Sequence, residues 1–174
     1  MKNLLKSFTL IAIMIMVPVI CQAQAKPNFT GTWTFNAEKS KLPEAPAGGG
    51  GFGGGGGMRM GGGDMVITQD ANLLTVETTR PGRDGGDPVK STVKYTLDGK
   101  ESVNAGGMGG ERKSTATWSA DGKSLKIATT MDFGGNAFTT NEEWSLVDGV
   151  LYQKRTMPGM DGGETTTTMA YSKK

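Results

Sequence analysis

After residue 28 the chain alternates apolar and polar positions with a period of two. Phe29, Gly31, Trp33 and Phe35 interleave with Thr30, Thr32, Thr34 and Asn36. Successive side chains of an extended segment point to opposite faces, so this opening predicts a half-buried strand. The same rhythm predicts strands over 65–69, 73–79, 89–97, 101–103, 112–119, 124–131, 137–147, 150–157 and 164–172. Between them stand Asp70-Ala71-Asn72, Asp98-Gly99, Asp121-Gly122 and Asp148-Gly149, short reversals whose residues tolerate positive φ. Longer breaks at 81–88, 105–110, 134–135 and 158–163 are glycine-rich. Ala37 to Leu42 is expected to form a short helical turn that Pro43 and Pro46 end, and no later window repeats apolar residues at helical spacing. The expected class is therefore all-β: an antiparallel up-and-down meander of about eight to ten strands, closing into a barrel so that the last strand meets the first and no edge is left open.

Alternation assigns inward faces to Met65 and Ile67, Leu74 and Val76, Val93, Tyr95 and Leu97, and Ala116 and Trp118. It continues with Leu125, Ile127 and Met131, then Phe138, Trp144 and Leu146, then Val150 and Tyr152, and finally Met169 and Tyr171. Strands rich in threonine with one apolar face suit a sheet that is wet on its other side.

Two segments fall outside the meander. Lys2 and Lys6 precede an apolar run that ends near Ile20 and is followed by Ala23-Gln24-Ala25, the composition of a cleavable export signal covering 1–25. The run is too short for a helix spanning a bilayer, which needs about 20 residues. A lipid-modified Cys21 is disfavoured, because Ile20 stands where lipidation signals carry a small residue. The remainder, 26–174, is expected to be one barrel domain in a periplasmic or secreted protein. Within it, 48–63 holds twelve glycines around Phe52, Met58, Arg59 and Met60. So few side chains do not offset the entropy of ordering a backbone, and a disordered first loop, placed as a lid would be, is expected there.

Charge and composition remove several functions. Loss of Lys2 and Lys6 lowers the 19 basic residues to 17, equal to the 17 acidic ones, so neither nucleic acid nor an anionic membrane is an expected partner. The chain has no histidine and its one cysteine lies in the leader. Serine and cysteine hydrolase mechanisms and histidine-ligated haem are thereby excluded, and a histidine-bound metal with them. No cofactor is implied. The glycine run has neither the following helix nor the terminal Gly-Lys-Ser/Thr of a phosphate-binding loop. Met58, Met60, Met108 and Met160 offer soft sulfur in glycine-rich loops, but thioethers also serve as flexible filler, and no metal site is assigned to them.

Glu142 stands out. Alternation through Phe138, Thr140, Glu142, Trp144 and Leu146 places a carboxylate on an aromatic face, where it would need a partner. On one reading it anchors a ligand inside a wall of Tyr95, Trp118, Trp144 and Tyr152. On the other, a bulge near Asn141 turns both Glu142 and Glu143 to water. Glu101, Asp132, Glu142 and Glu143 also include the acid and base that a carboxylate-only hydrolase needs, but nothing marks out one pair.

Asn28-Phe29-Thr30-Gly31-Thr32-Trp33 resembles the Gly-x-Trp opening of lipocalins and of bacterial secreted lipocalin-like proteins. Ala37-Glu38-Lys39-Ser40-Lys41 and the segments 95–101, 118–125 and 143–146 are similar to the latter group, so the likeness extends loosely over most of 27–174. The Thr-Asp-Tyr run and C-terminal helix of the main lipocalin family are absent. The resemblance implies a calycin-type barrel closed at its base by Gly31 and Trp33, with the tryptophan against a late basic side chain, Arg155 or Lys173. It implies no catalytic residue and no metal. The expected function is binding of a small apolar or amphipathic molecule in the cavity. A solid-cored module that contacts an envelope protein or inhibits an exogenous protease is the alternative, and a carboxylate-only enzyme the second. A pocket of roughly 300 Å³ or more would favour binding.

Overall fold

The computed structural model describes residues 25–42, 63–80, 86–106, 110–133, 135–159 and 162–174. Their regular structure is all strand: β1 (Gly31–Lys41), β2 (Met65–Gln69), β3 (Leu73–Arg80), β4 (Val89–Thr96), β5 (Glu101–Ala105), β6 (Glu111–Trp118), β7 (Ser124–Phe133), β8 (Asn136–Val147), β9 (Val150–Pro158) and β10 (Glu164–Lys173). No described helix is long and apolar enough to cross a membrane. The leader, most of the glycine-rich 48–63 segment and Met58, Met60, Met108 and Met160 lie outside the described residues.

The strands form one antiparallel sheet ordered β4-β3-β2-β1-β10-β9-β8-β7-β6-β5. The first and last strands are neighbours, with Trp33 opposite Lys173, so the meander runs round and brings β4 and β5 together as its two ends. The barrel is nearly closed. Side chains bridge the remaining seam: the Asn104 amide accepts from Lys94 N–H and donates to Lys94 C=O, both at 2.8 Å, and Ser102 Oγ accepts from Thr96 N–H at 2.8 Å.

The expected helical turn over 37–42 is instead the second half of β1. The strand bulges between Asn36, opposite Ala170, and Lys41, opposite Thr168. Ser40 makes this possible by serving the backbone groups that a bulge leaves free, donating to Asn36 C=O at 2.6 Å and accepting from Ala170 N–H at 2.9 Å. The glycine and aspartate turns fall where they are expected. Asp148 and Gly149 take φ of 50° and 74°, the double positive-φ signature of a two-residue hairpin turn.

The reversals at 70–72, 97–100, 119–123 and 148–149 cap one end of the barrel, and the glycine-rich connections, from the two-residue 134–135 to the long segment after β1, leave from the other. The two ends differ inside as well. Phe29, which precedes β1 rather than opening it, plugs the tight-turn end and is fully buried with Trp33, Leu74, Leu125 and Leu151. Gln69 fastens this plug, accepting from Phe29 N–H at 2.9 Å and donating to Pro27 C=O at 3.1 Å.

Candidate functional site

The floor is aromatic. Phe29 stacks on Trp118 with ring centroids 6.0 Å apart and meets the edge of Trp144 at the same distance, and Tyr95 meets Trp144 edge-on at 6.4 Å. Trp33 donates from Nε1 to Phe29 C=O at 2.9 Å and is 1% exposed. Its basic partner is Lys173, whose Nζ lies 5.8 Å from the ring centre. Gly31 makes the approach possible, since a Cβ there would sit 2.7 Å from Lys173 Cε. The assignment of Arg155 to barrel closure is therefore corrected. Arg155 lies opposite Glu142 and Thr167, above the floor, and cannot reach Trp33 while it holds Glu142.

Above the floor the interior turns polar. Glu142 is 8% exposed and is the one buried charged residue among those described. Its strand does not bulge at Asn141: Asn141, Glu142 and Glu143 face Ala128, Ile127 and Lys126 in unbroken register, so Glu142 points inward and Glu143 outward. Three donated hydrogen bonds, two of them from one guanidinium, satisfy the carboxylate. Trp144 Nε1 donates to Oε2 at 2.9 Å, while Arg155 Nε and Nη2 reach Oε1 at 2.8 and 2.7 Å. Higher in the barrel, the buried hydroxyls of Ser114 and Thr129 share a hydrogen bond of 2.9 Å. Thr167 Oγ1 and Arg112 Nε are buried without a partner. Burial first, then the charge of Glu142, pushes the Tyr95 phenol well above its usual range, against the opposing pull of Arg112 and Arg155. Burial likewise raises the Tyr171 phenol.

Of the expected wall, Tyr95 and Trp144 face the interior beside Glu142. Trp118 is half-buried at the rim of the floor, between Phe29 and the Lys26 ammonium, 5.3 Å from its centre. Tyr152 is a correction, because it faces outward. The Asp148-Gly149 turn pairs Leu146 with Leu151, Ser145 with Tyr152 and Trp144 with Gln153. Cross-strand partners share a face, so with Trp144 and Leu146 inside, β9 contributes Leu151, Gln153 and Arg155. The same turn residues carried that signal in the sequence. Arg112, Gln153 and Thr167 were missed because a lone polar residue on an apolar face reads as a break in the pattern.

A concavity of about 320 Å³ lies on the outer face of β6 to β9, lined by Thr115, Thr117, Lys126, Asn141, Glu143 and Lys154. It has the size expected of a ligand pocket but lies on the other side of the sheet from Tyr95 and Trp144.

No protein-family model matches the chain, and no curated protein is similar to it. Solved structures are similar in fold. A variant of the fluorescent protein UnaG superposes with a TM-score of 0.53 at 20% identity, covering 83% of this chain and 95% of its own. The zebrafish ileal bile acid-binding protein, complexed with cholic acid, gives 0.53 at 17% identity, covering 84% and 98%. A secretory abundant heat soluble protein from Ramazzottius varieornatus gives 0.55 at 15%, covering 84% and 95%. These identities speak to architecture alone, that of a nearly closed antiparallel β-barrel.

Proposed function

We propose that the protein is an exported, non-catalytic barrel that binds a small amphipathic molecule in its interior. The observation that carries this reading is the Glu142–Arg155 pair held above an aromatic floor. A barrel built only for stability would gain from apolar side chains there, because two charges taken from water are rarely repaid in full by their mutual attraction. An ion pair beside two unpartnered buried polar atoms is what a ligand with both an apolar body and a polar end would use. The similar barrel of the zebrafish protein, which holds cholic acid, supports the same class of ligand. Carboxylate chemistry lacks a second buried acid near Glu142 among the described residues. The leader composition of 1–25 supports export to the periplasm or beyond.

Native mass spectrometry of the protein purified gently from its own source tests the reading. A reproducible small-molecule mass that disappears on denaturation supports it, and a chain beginning at Lys26 supports export. An empty monomer that also takes up no amphiphile added in excess overturns it. That result would favour a module that contacts an envelope protein, for which the outer concavity over β6 to β9 is the supporting observation.

A further inference from the structure

We infer that the ligand carries an anionic head group and that Arg112 receives it. This rests on the interior-binding reading and adds the sign of the charge and the residue that reads it. The inward-facing charges among the described residues do not balance. Glu142 supplies one negative charge, and Arg155 neutralises it through two hydrogen bonds of 2.8 and 2.7 Å. Arg112 remains. It shares the inward face of β6 with Ser114 and Ala116, opposite Met131 on β7 and Asn104 on β5, and among the described residues no ion pair reaches it.

Its Nε is out of contact with water and has no hydrogen-bond acceptor. A guanidinium presents donors in a fixed fork that suits carboxylate, sulfate and phosphate, and it stays charged at any pH the protein meets. Leaving such a donor buried and unmatched is unfavourable, and an entering anion removes the mismatch. Thr167, 1% exposed with its hydroxyl unpartnered, lies on the same inner surface next to Arg155 and offers a further donor. At the same end Arg80, on the exposed terminus of β3, adds positive charge whose pull is felt at Tyr171. The tight-turn end supplies apolar and aromatic surface and, besides it, one uncharged amide, Gln153. The orientation follows: hydrocarbon toward Phe29 and Trp144, anion toward the glycine-rich connections.

Calorimetric titration of the full chain with three probes of equal length separates the possibilities: decanoate, 1-decanol and decyltrimethylammonium. We expect decanoate to bind at least about tenfold more tightly than decanol, and the cation most weakly, as a charge-assisted hydrogen bond predicts. Arg112→Met keeps most of the side-chain length and removes the charge. It should abolish the preference for decanoate while leaving decanol affinity within about twofold, and Arg112→Lys should restore part of it. A melting curve on each variant confirms that it is folded. Equal binding of decanoate and decanol overturns the anion site and leaves the binding barrel standing. A preference for decanoate that survives Arg112→Met overturns the assignment to Arg112. Binding of none of the three overturns the interior-binding reading along with it.

Discussion

The two halves of the barrel interior solve opposite problems with the same kind of strand. Toward the tight turns, the inward positions are apolar or aromatic apart from Gln153, whose amide donates to Met65 Sδ at 3.7 Å, and the one polar ring atom of Trp33 is matched by a backbone carbonyl. Toward the glycine-rich connections, the same strands turn Glu142, Thr140, Thr129, Ser114 and Thr167 inward, and two of the buried polar atoms there lack partners. The floor is a core and the upper half a poorly satisfied one, which is how a protein looks where part of its interior is kept for something else. Stability should therefore reside in the floor, and recognition above it.

The sharpest way to break that division is to empty the floor. Trp33→Ala removes a ring that is 1% exposed, its hydrogen bond to Phe29 and the surface on which Lys173 rests. A loss of about 3–5 kcal/mol in urea unfolding is expected. Next in size comes the ion pair. Arg155→Met leaves Glu142 buried with Trp144 as its remaining partner and should cost about 2–3 kcal/mol, discounted because a third of the arginine side chain reaches water. The double variant Glu142→Leu, Arg155→Met should recover most of that loss. A double variant no more stable than Arg155→Met alone would show that the pair contributes to stability outright, and the upper half would then count as core. Smaller again is Gly31→Ala, expected to cost about 1–2 kcal/mol because a side chain there meets Lys173 at a φ of 151°.

The floor was also the more legible half. Phe29, Trp33, Tyr95, Leu125 and Trp144 announce themselves by period-two alternation, and the three Asp-Gly turns fixed where each hairpin reverses. The upper half was legible only through Glu142, whose charge broke the pattern visibly. Arg112 and Thr167 occupy the same inward rows, but threonine populates both faces of these strands, and a lysine follows Arg112 directly, so neither carried a local mark. Tyr152 was misplaced because its own segment, Val150-Leu151-Tyr152-Gln153, is apolar on both faces for its first three residues. The register came from the turn before it. The bulge at Ser40 was illegible for a different reason. Ala37-Glu38-Lys39-Ser40-Lys41 has good local helix propensity, and the hydrogen bond that overrides it comes from Ala170, far along the chain.

The smallest effect sharpens the comparison at the seam. Elsewhere in the barrel, backbone pairs with backbone. Between β4 and β5 a side-chain amide takes the place of a peptide group, Asn104 matching both the N–H and the C=O of Lys94 at 2.8 Å. Ser102 and Thr96 repeat the device nearer the turn, through Ser102 Oγ to Thr96 N–H at 2.8 Å and a hydroxyl pair at 3.2 Å. Asn104→Ala deletes two exposed hydrogen bonds and little packing, so it should cost only about 1 kcal/mol. Its effect on exchange should be local: the Lys94 amide proton should lose protection, while the floor amides of β7 and β8 keep theirs. Asn104→Asp separates acceptor from donor, because a carboxylate can still take the Lys94 N–H but cannot donate to its C=O. Partial retention of Lys94 protection in that variant would locate the seam's strength in the N–H bond. Full protection in both variants would mean that β4 and β5 are held by the Ser102–Thr96 pair and the 97–100 turn, and that the Asn104 bridge closes the barrel's outline without holding it.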